Sequence, residues 1–173
     1  AAHYGHPSQF GVNGQGAEID FAAVNDHVQG VVAGIAPHDS VERFSDLGVD
    51  VFQEGAKFTG PREVLGENGT RVRARRFVVA TGSSPAVPPI PGLDQVSYLT
   101  NETVFELRER PSHLIVVGGG PIGLEMAQAH RQLGSKVTVL EAFQMMGPDD
   151  RDLVAVVRAR LVADGIDIHE DTK

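Results

Sequence analysis

The chain contains no cysteine and no tryptophan, and only 6% of its 173 residues are aromatic. Without a thiol it can form no disulfide, present no thiol nucleophile and offer no thiolate ligand to a metal. It has no run approaching the ~20 apolar residues of a membrane span, so no membrane partner is expected. The first residues show no secretory pattern, and a cytoplasmic location is the matching expectation. Positive charge is scarce too. Its 15 basic and 23 acidic residues leave a formal charge of −8, which opposes unspecific binding to nucleic acid or anionic lipid and leaves small molecules as the expected partners.

What the chain does have is glycine, 20 residues in all, and the most informative of these lie between Leu114 and Glu141. Leu114 to Val117 is a short apolar run suited to a buried parallel strand, and it leads into Gly118, Gly120 and Gly123. That is the G-x-G-x-x-G spacing of a dinucleotide-binding turn: the first glycine for the tight turn, the second for close approach of a pyrophosphate, the third for packing of helix on strand. Pro121 suits the first helical position, because it has no N–H to leave unpaired. Ile122, Met126, Ala129 and Leu133 follow at helical spacing as the expected inner face, with a small residue at Ala127 and Gly134 placed to close the helix in a left-handed cap. A second strand, Lys136 to Leu140, ends at Glu141, eighteen residues beyond Gly123, in the region of the acid that accepts hydrogen bonds from a ribose. No Arg or Lys occurs between Glu141 and Asp150, so a 2′-phosphate would meet an uncompensated carboxylate, and NADH is expected to be preferred over NADPH.

The rest of the chain is read around this unit. Ala1 to Gly16 is polar and glycine-rich, a loop or frayed helix; Gly14 and Gly16 make an isolated G-x-G, and His3 and His6 have no further ligands near them. Asp20 caps a predicted helix with Val24, Val28, Val31 and Ile35 on one face, ended or kinked by Pro37. Asp39 and Glu42 have capping-box spacing before Val41, Phe44 and Leu47, and Gly48 closes that shorter helix. Val49 to Phe58 reads as extended, and Asn68-Gly69 predicts a type I′ turn between two further strands, the second running from Arg71 to Val79, in a hairpin or meander. Arg71, Arg73 and Arg75 alternate onto one strand face, where solvent is the expected neighbour. The Asn68 and Asn101 glycosylation patterns have no secretory context and are read as chance.

Phe77 to Ala80 reads as an apolar strand that stops at Thr81-Gly82, before a rigid proline-rich connection from Pro85 to Pro91. Beyond Glu141, Asp149 or Asp150 caps a helix with Leu153, Val157 and Leu161 inward, Gly165 closes it, and Ile166 to Ile168 begins a third strand. The expected fold class is α/β, doubly wound Rossmann-type with a β-meander, in two incomplete dinucleotide-binding domains, 1–97 and 98–173.

Three segments together carry a family resemblance: GAKFTG at Gly55 to Gly60, FVVATGSSPAVPPIPGL at Phe77 to Leu93, and VVGGGPIGLEMAQAHRQLG at Val116 to Gly134. Over nearly its whole length the chain resembles the pyridine nucleotide-disulfide oxidoreductases, and within them the dihydrolipoamide dehydrogenase and mercuric reductase branch. The resemblance implies that Ala56 meets the adenine part of FAD through its backbone and that Ala80, Thr81 and Gly82 form a strand end near the flavin nucleotide. It implies that Gly118, Gly119, Gly120, Pro121, Ile122 and Gly123 hold the pyrophosphate of NAD, and that Glu125 is a catalytic residue beside the flavin ring, where the family pairs it with a lysine from an earlier helix that this chain does not contain. The activity implied is passage of hydride from nicotinamide to FAD and on to a disulfide or another acceptor, in a homodimeric parent enzyme. A reductase or NADH oxidase without a redox disulfide, and a non-enzymatic nucleotide-binding module, are the alternatives. The chain lacks the upstream FAD glycine loop, the C-x-x-x-x-C pair and the C-terminal His-Glu pair of that family. It is therefore expected to be an internal piece of a longer enzyme that alone holds no FAD tightly and has no reductase activity.

Overall fold

A computed structural model describes residues 18–172. The readings made of Ala1 to Gly16, including Gly14-x-Gly16 and the His3/His6 pair, lie outside the described residues. The chain divides into two compact units, one made of residues up to Val28 together with Tyr98 onward, the other of Gln29 to Ser97.

The first unit is organised on a parallel sheet of β4 (His113–Val117), β5 (Lys136–Leu140) and β6 (Asp167–His169), in the order β4-β5-β6. Leu114 stands beside Val137, and Val116 beside Val139, which stands in turn beside Ile168. These five residues share one sheet face, since paired residues of a parallel ladder point the same way. Helices α3 (Pro121–Gln132) and α4 (Arg151–Ala163) supply Leu124, Ala127, Val154 and Leu161 to the same core, with Met145 and Ile166 from the connections. Val137, Val139, Ala127 and Met145 are wholly buried. Burial of a side chain such as Leu124 contributes about 1.5–3 kcal/mol.

The inner faces differ from those expected. On α3 the buried residues are Leu124, Ala127 and His130, while Ile122 and Ala129 are exposed. On α4 Val154 and Leu161 are buried, and Leu153 is 69% exposed. The contact between Gly123 and the strand fixes the rotation of α3, so residues one and four places after that glycine turn inward whatever the longer apolar residues would favour. The closures are as read: Gly134 and Gly165 have φ of 96° and 86°, and each helix ends with paired bonds, Gly134 N to Arg131 O with Ser135 N to His130 O, and Gly165 N to Val162 O with Ile166 N to Leu161 O. Asp150 is the cap of α4, its Oδ1 accepting from Asp152 and Leu153 amides.

Helix α1 (Phe21–Ile35) starts at Asp20, whose Oδ1 accepts from Ala23 N at 3.0 Å. It gives way before Pro37 to a 3-10 turn, Ala36–Asp39. Of its expected apolar face, Val31 and Ile35 are about half exposed. Its buried residue is Asn25, whose side chain donates to Phe105 O at 2.8 Å and accepts from Arg108 at 3.2 Å. A polar residue with both its groups satisfied can take an inward position that apolar periodicity does not mark.

In the second unit, α2 (Val41–Asp46) is capped by Ser40 and not by Asp39, because the Ser40 hydroxyl reaches Arg43 N at 3.2 Å. Strands β1 (Ala56–Gly60), β2 (Glu63–Gly66) and β3 (Arg71–Arg73) form an antiparallel meander. The turn from β2 to β3 is not type I′. Gly69 has φ 86°, Asn68 does not have a positive φ, and Gly69 N donates to Gly66 O while Gly66 N donates to Thr70 O. This is a three-residue loop, a type I turn closed by a left-handed glycine. Strand β3 ends at Arg73, and Phe77 to Ala80 is no strand. Among the described residues no ladder partner lies beside it, and Val78 is 91% exposed. Arg71, Arg73 and Arg75 face solvent as expected, with Arg71 and Arg73 drawn to Glu63 at 2.9 and 3.8 Å.

Candidate functional site

The glycine turn between β4 and α3 is built by three different constraints. Gly118 has φ 118°, which glycine reaches readily and other residues do not, and its N–H donates to Leu140 O at 2.8 Å, tying the turn to the end of β5. A β carbon on Gly123 would collide with the Gly118 carbonyl and stand 3.2 Å from Val116 Cγ1. Gly120 is the N-cap of α3, and a β carbon built on it meets nothing within 4 Å. The space in front of it is open.

Helix α3 begins without a side-chain cap. Its first intrahelical bond runs from Leu124 N to Gly120 O, and Pro121 has no N–H, so the amides of Ile122 and Gly123 have no partner within the helix. Unpaired amides at the positive end of a twelve-residue helix attract an anion, and the backbone at Gly120 leaves room for one.

Glu141 stands across this turn at the end of β5. Its Oε2 accepts from Gly119 N at 2.6 Å and its Oε1 from Phe143 N at 2.9 Å. Its own N–H donates to His169 O at 2.8 Å. The following loop is fastened in turn: Met146 N donates to Gly119 O, Met145 N to Glu170 Oε1 at 2.9 Å, and the Arg151 guanidinium to the carbonyls of Met145, Met146 and Asp149. Glu170 is held by Arg158 at 3.3 Å. Sequence reasoning did not single out Met145, Arg151 or Glu170, and it gave Gly119 no role of its own. The one available signal was a third consecutive glycine where the motif needs only two.

The residues expected on the flavin side are spread differently. Ala56 opens β1 and is exposed, on the wall of an apolar recess of about 210 Å³ with Phe52, Val64, Val72 and Phe77. Phe77 packs edge-on against Phe58, ring centres 5.1 Å apart. Glu54 lies at the rim of the recess and accepts from Asn68 N at 2.7 Å, a bond that holds its carboxyl below the ordinary carboxylate range, helped by Thr70. Ala80, Thr81 and Gly82 do not line this recess; they are exposed, in backbone without regular structure, with Gly82 at φ 70°. Glu125 projects from α3 and is exposed. The structure therefore brings Gly118 to Gly123 together with Glu141, and shows no contact joining Glu125 to them. Among the described residues there is no cluster of three or more metal-binding side chains, and no helix long and apolar enough to cross a membrane.

Residues 13–173 match the sequence family described as pyridine nucleotide-disulphide oxidoreductase. The chain belongs to that family. Among the members it resembles, mercuric reductase of Streptomyces lividans is 32% identical over 167 residues, 94% of this chain and 35% of the relative. Dihydrolipoyl dehydrogenase of Bacillus subtilis is 34% identical over 129 residues, 72% of this chain and 28% of the relative. In three dimensions the chain is similar to the HOCl-induced flavoprotein disulfide reductase RclA of Escherichia coli, with TM-score 0.72, 28% identity, and coverage of 97% of this chain and 38% of that one. The pyridine nucleotide-disulphide oxidoreductase chain described here thus spans about a third of the length of these relatives. Its α/β architecture with a parallel sheet is the Rossmann-type nucleotide-binding fold of the family.

Proposed function

We propose that these residues form the nicotinamide-dinucleotide site, and part of the flavin site, of an FAD-dependent oxidoreductase that takes hydride from NADH. The carrying observation is the uncapped start of α3 facing open space at Gly120, with the Glu141 carboxylate fixed across the same turn. The amides of Ile122 and Gly123 receive the diphosphate, and Gly120 admits it because no side chain stands there. A carboxylate offers about four acceptor positions, of which the backbone takes two, so Glu141 keeps capacity for the two ribose hydroxyls. A 2′-phosphate would bring negative charge against it.

The apolar recess beside Ala56 supports the adenine end of FAD, since a flat heteroaromatic ring suits a concave wall of Phe and Val side chains. When bound, the flavin accepts hydride from the nicotinamide and passes electrons onward. Glu125, exposed on α3, is assigned to the side of the flavin ring, and Ala80, Thr81 and Gly82 to the flavin nucleotide. The chain holds no thiol, so none of its own residues forms a redox disulfide, and the onward acceptor is a disulfide from elsewhere or another group. A homodimeric parent enzyme located in the cytoplasm goes with this reading.

Steady-state kinetics on the full-length enzyme test it. NADH should be used roughly ten- to hundredfold more efficiently than NADPH, the ratio of one to two charge-assisted hydrogen bonds, and Glu141→Ala should remove most of that margin. Equal efficiency with both nucleotides in the unmutated enzyme would sink the assignment.

A further inference from the structure

The contacts of Gly119 point to a role that the dinucleotide motif does not give it. The motif needs glycine at the positions of Gly118, Gly120 and Gly123, and leaves the intervening position open. Gly119 does not have a positive φ, so backbone conformation permits an ordinary L-residue there. Its surroundings do not. A β carbon on Gly119 would stand 3.2 Å from both Cβ and Oε2 of Glu141, and 3.1 Å from Cβ of Met145. Met145 is wholly buried, its N–H bound to Glu170, with Arg151 over its carbonyl. It cannot give way without opening the core, so the displaced group would be Glu141. At the same time Gly119 N–H supplies the 2.6 Å bond that aims Oε2 of Glu141 over the turn.

Building on the nucleotide reading above, we propose that Gly119 is a positioning residue for cofactor choice, holding Glu141 in its ribose-facing pose by one amide bond and by the absence of a side chain. Gly119 does not touch the ribose itself. It acts through Glu141, and its effect is confined to the nucleotide that uses this acid.

Equilibrium titrations of the full-length protein with NADH and with NADPH decide the matter, using the unmutated protein, Gly119→Ala, Glu141→Ala and the double variant. Gly119→Ala should weaken NADH binding roughly tenfold, the loss of about one charge-assisted bond, and leave NADPH binding within about twofold. In the Glu141→Ala background the same substitution should change neither, because the partner through which it acts is gone. Loss of both nucleotides in parallel, or undiminished preference in Gly119→Ala, overturns the proposal while leaving the NADH site standing. A protein that binds neither nucleotide, or both alike, overturns the site and the proposal together. Amide exchange gives a reading that does not depend on folding of the glycine variant. In Glu141→Ala the Gly119 amide should lose protection while the Gly118 amide, bonded to Leu140 O, keeps it; equal protection of Gly119 with and without the acid overturns the proposal.

Discussion

Leu114 to Val117 and Phe77 to Ala80 are equally apolar four-residue runs, and only the first becomes a strand. The first has β5 alongside it in register and α3 packed on its inner face. The second has neither a ladder partner nor a covering layer among the described residues, and Val78 and Val79 are 91% and 69% exposed. The contrast extends to the units that contain them. Every wholly buried apolar side chain belongs to the parallel unit, whereas in the unit from Gln29 to Ser97 the one buried residue is Gly66. An apolar run states a preference, but pairing and burial turn it into structure.

Truncating the core should show the contrast most strongly. Leu124→Ala is expected to cost about 2–5 kcal/mol in urea denaturation, from lost burial plus a cavity. Val78→Ala, at an exposed position, should stay within about 0.5 kcal/mol. Comparable losses at the two sites would break the comparison. The next effect is functional. Gly120→Val fills the open space that the proposed site gives to the diphosphate, so calorimetric titration should show NADH affinity reduced roughly tenfold or more, with little change in the melting temperature.

In the meander, Gly69→Ala forces a β carbon into a φ of 86° and should cost about 1–2 kcal/mol. Amide exchange should place that loss in the β2–β3 turn and leave β4 to β6 protected as before. The smallest effect concerns pH. Because the Asn68 amide bond, then Thr70, lowers the Glu54 carboxyl, its contribution to the turn is complete above the ordinary glutamate value and disappears as pH falls through the lowered one. The Asn68 amide shift followed by NMR should titrate below the ordinary range, and Glu54→Gln should abolish that titration.

The parts legible in the sequence were those whose physics is local. Gly48, Gly134 and Gly165 close their helices because a left-handed residue is needed at each end, and the strand, turn, helix and strand between Leu114 and Leu140 formed in the order read, although with a different helix face inward. Some of what sequence reasoning missed depends on distant partners, and the rest on close competition between neighbours. Asn25 is buried because Phe105 and Arg108, some 80 residues on, satisfy it. Ser40 outcompeted Asp39 as a cap by one residue of placement, and a three-residue turn replaced the two-residue one because Gly66 and Thr70 pair across it. In the sequence Gly119 is only part of the pyrophosphate turn, and its contact with Glu141 and Met145 could not be seen before both stood beside it.

The seat of Met145 also has a chemical consequence. In a chain without cysteine, methionine sulfur is the main site of oxidation, and sulfoxide formation turns an apolar side chain into a polar one. Met145 is wholly buried, while its neighbour Met146 is partly open to solvent. Peroxide should therefore oxidise Met146 directly, and Met145 only through opening of the loop after Glu141. The ratio of the two sulfoxides in a mass spectrum is thus a clock for opening of the loop after Glu141, and if the proposed site holds, added NADH should slow it at Met145 alone.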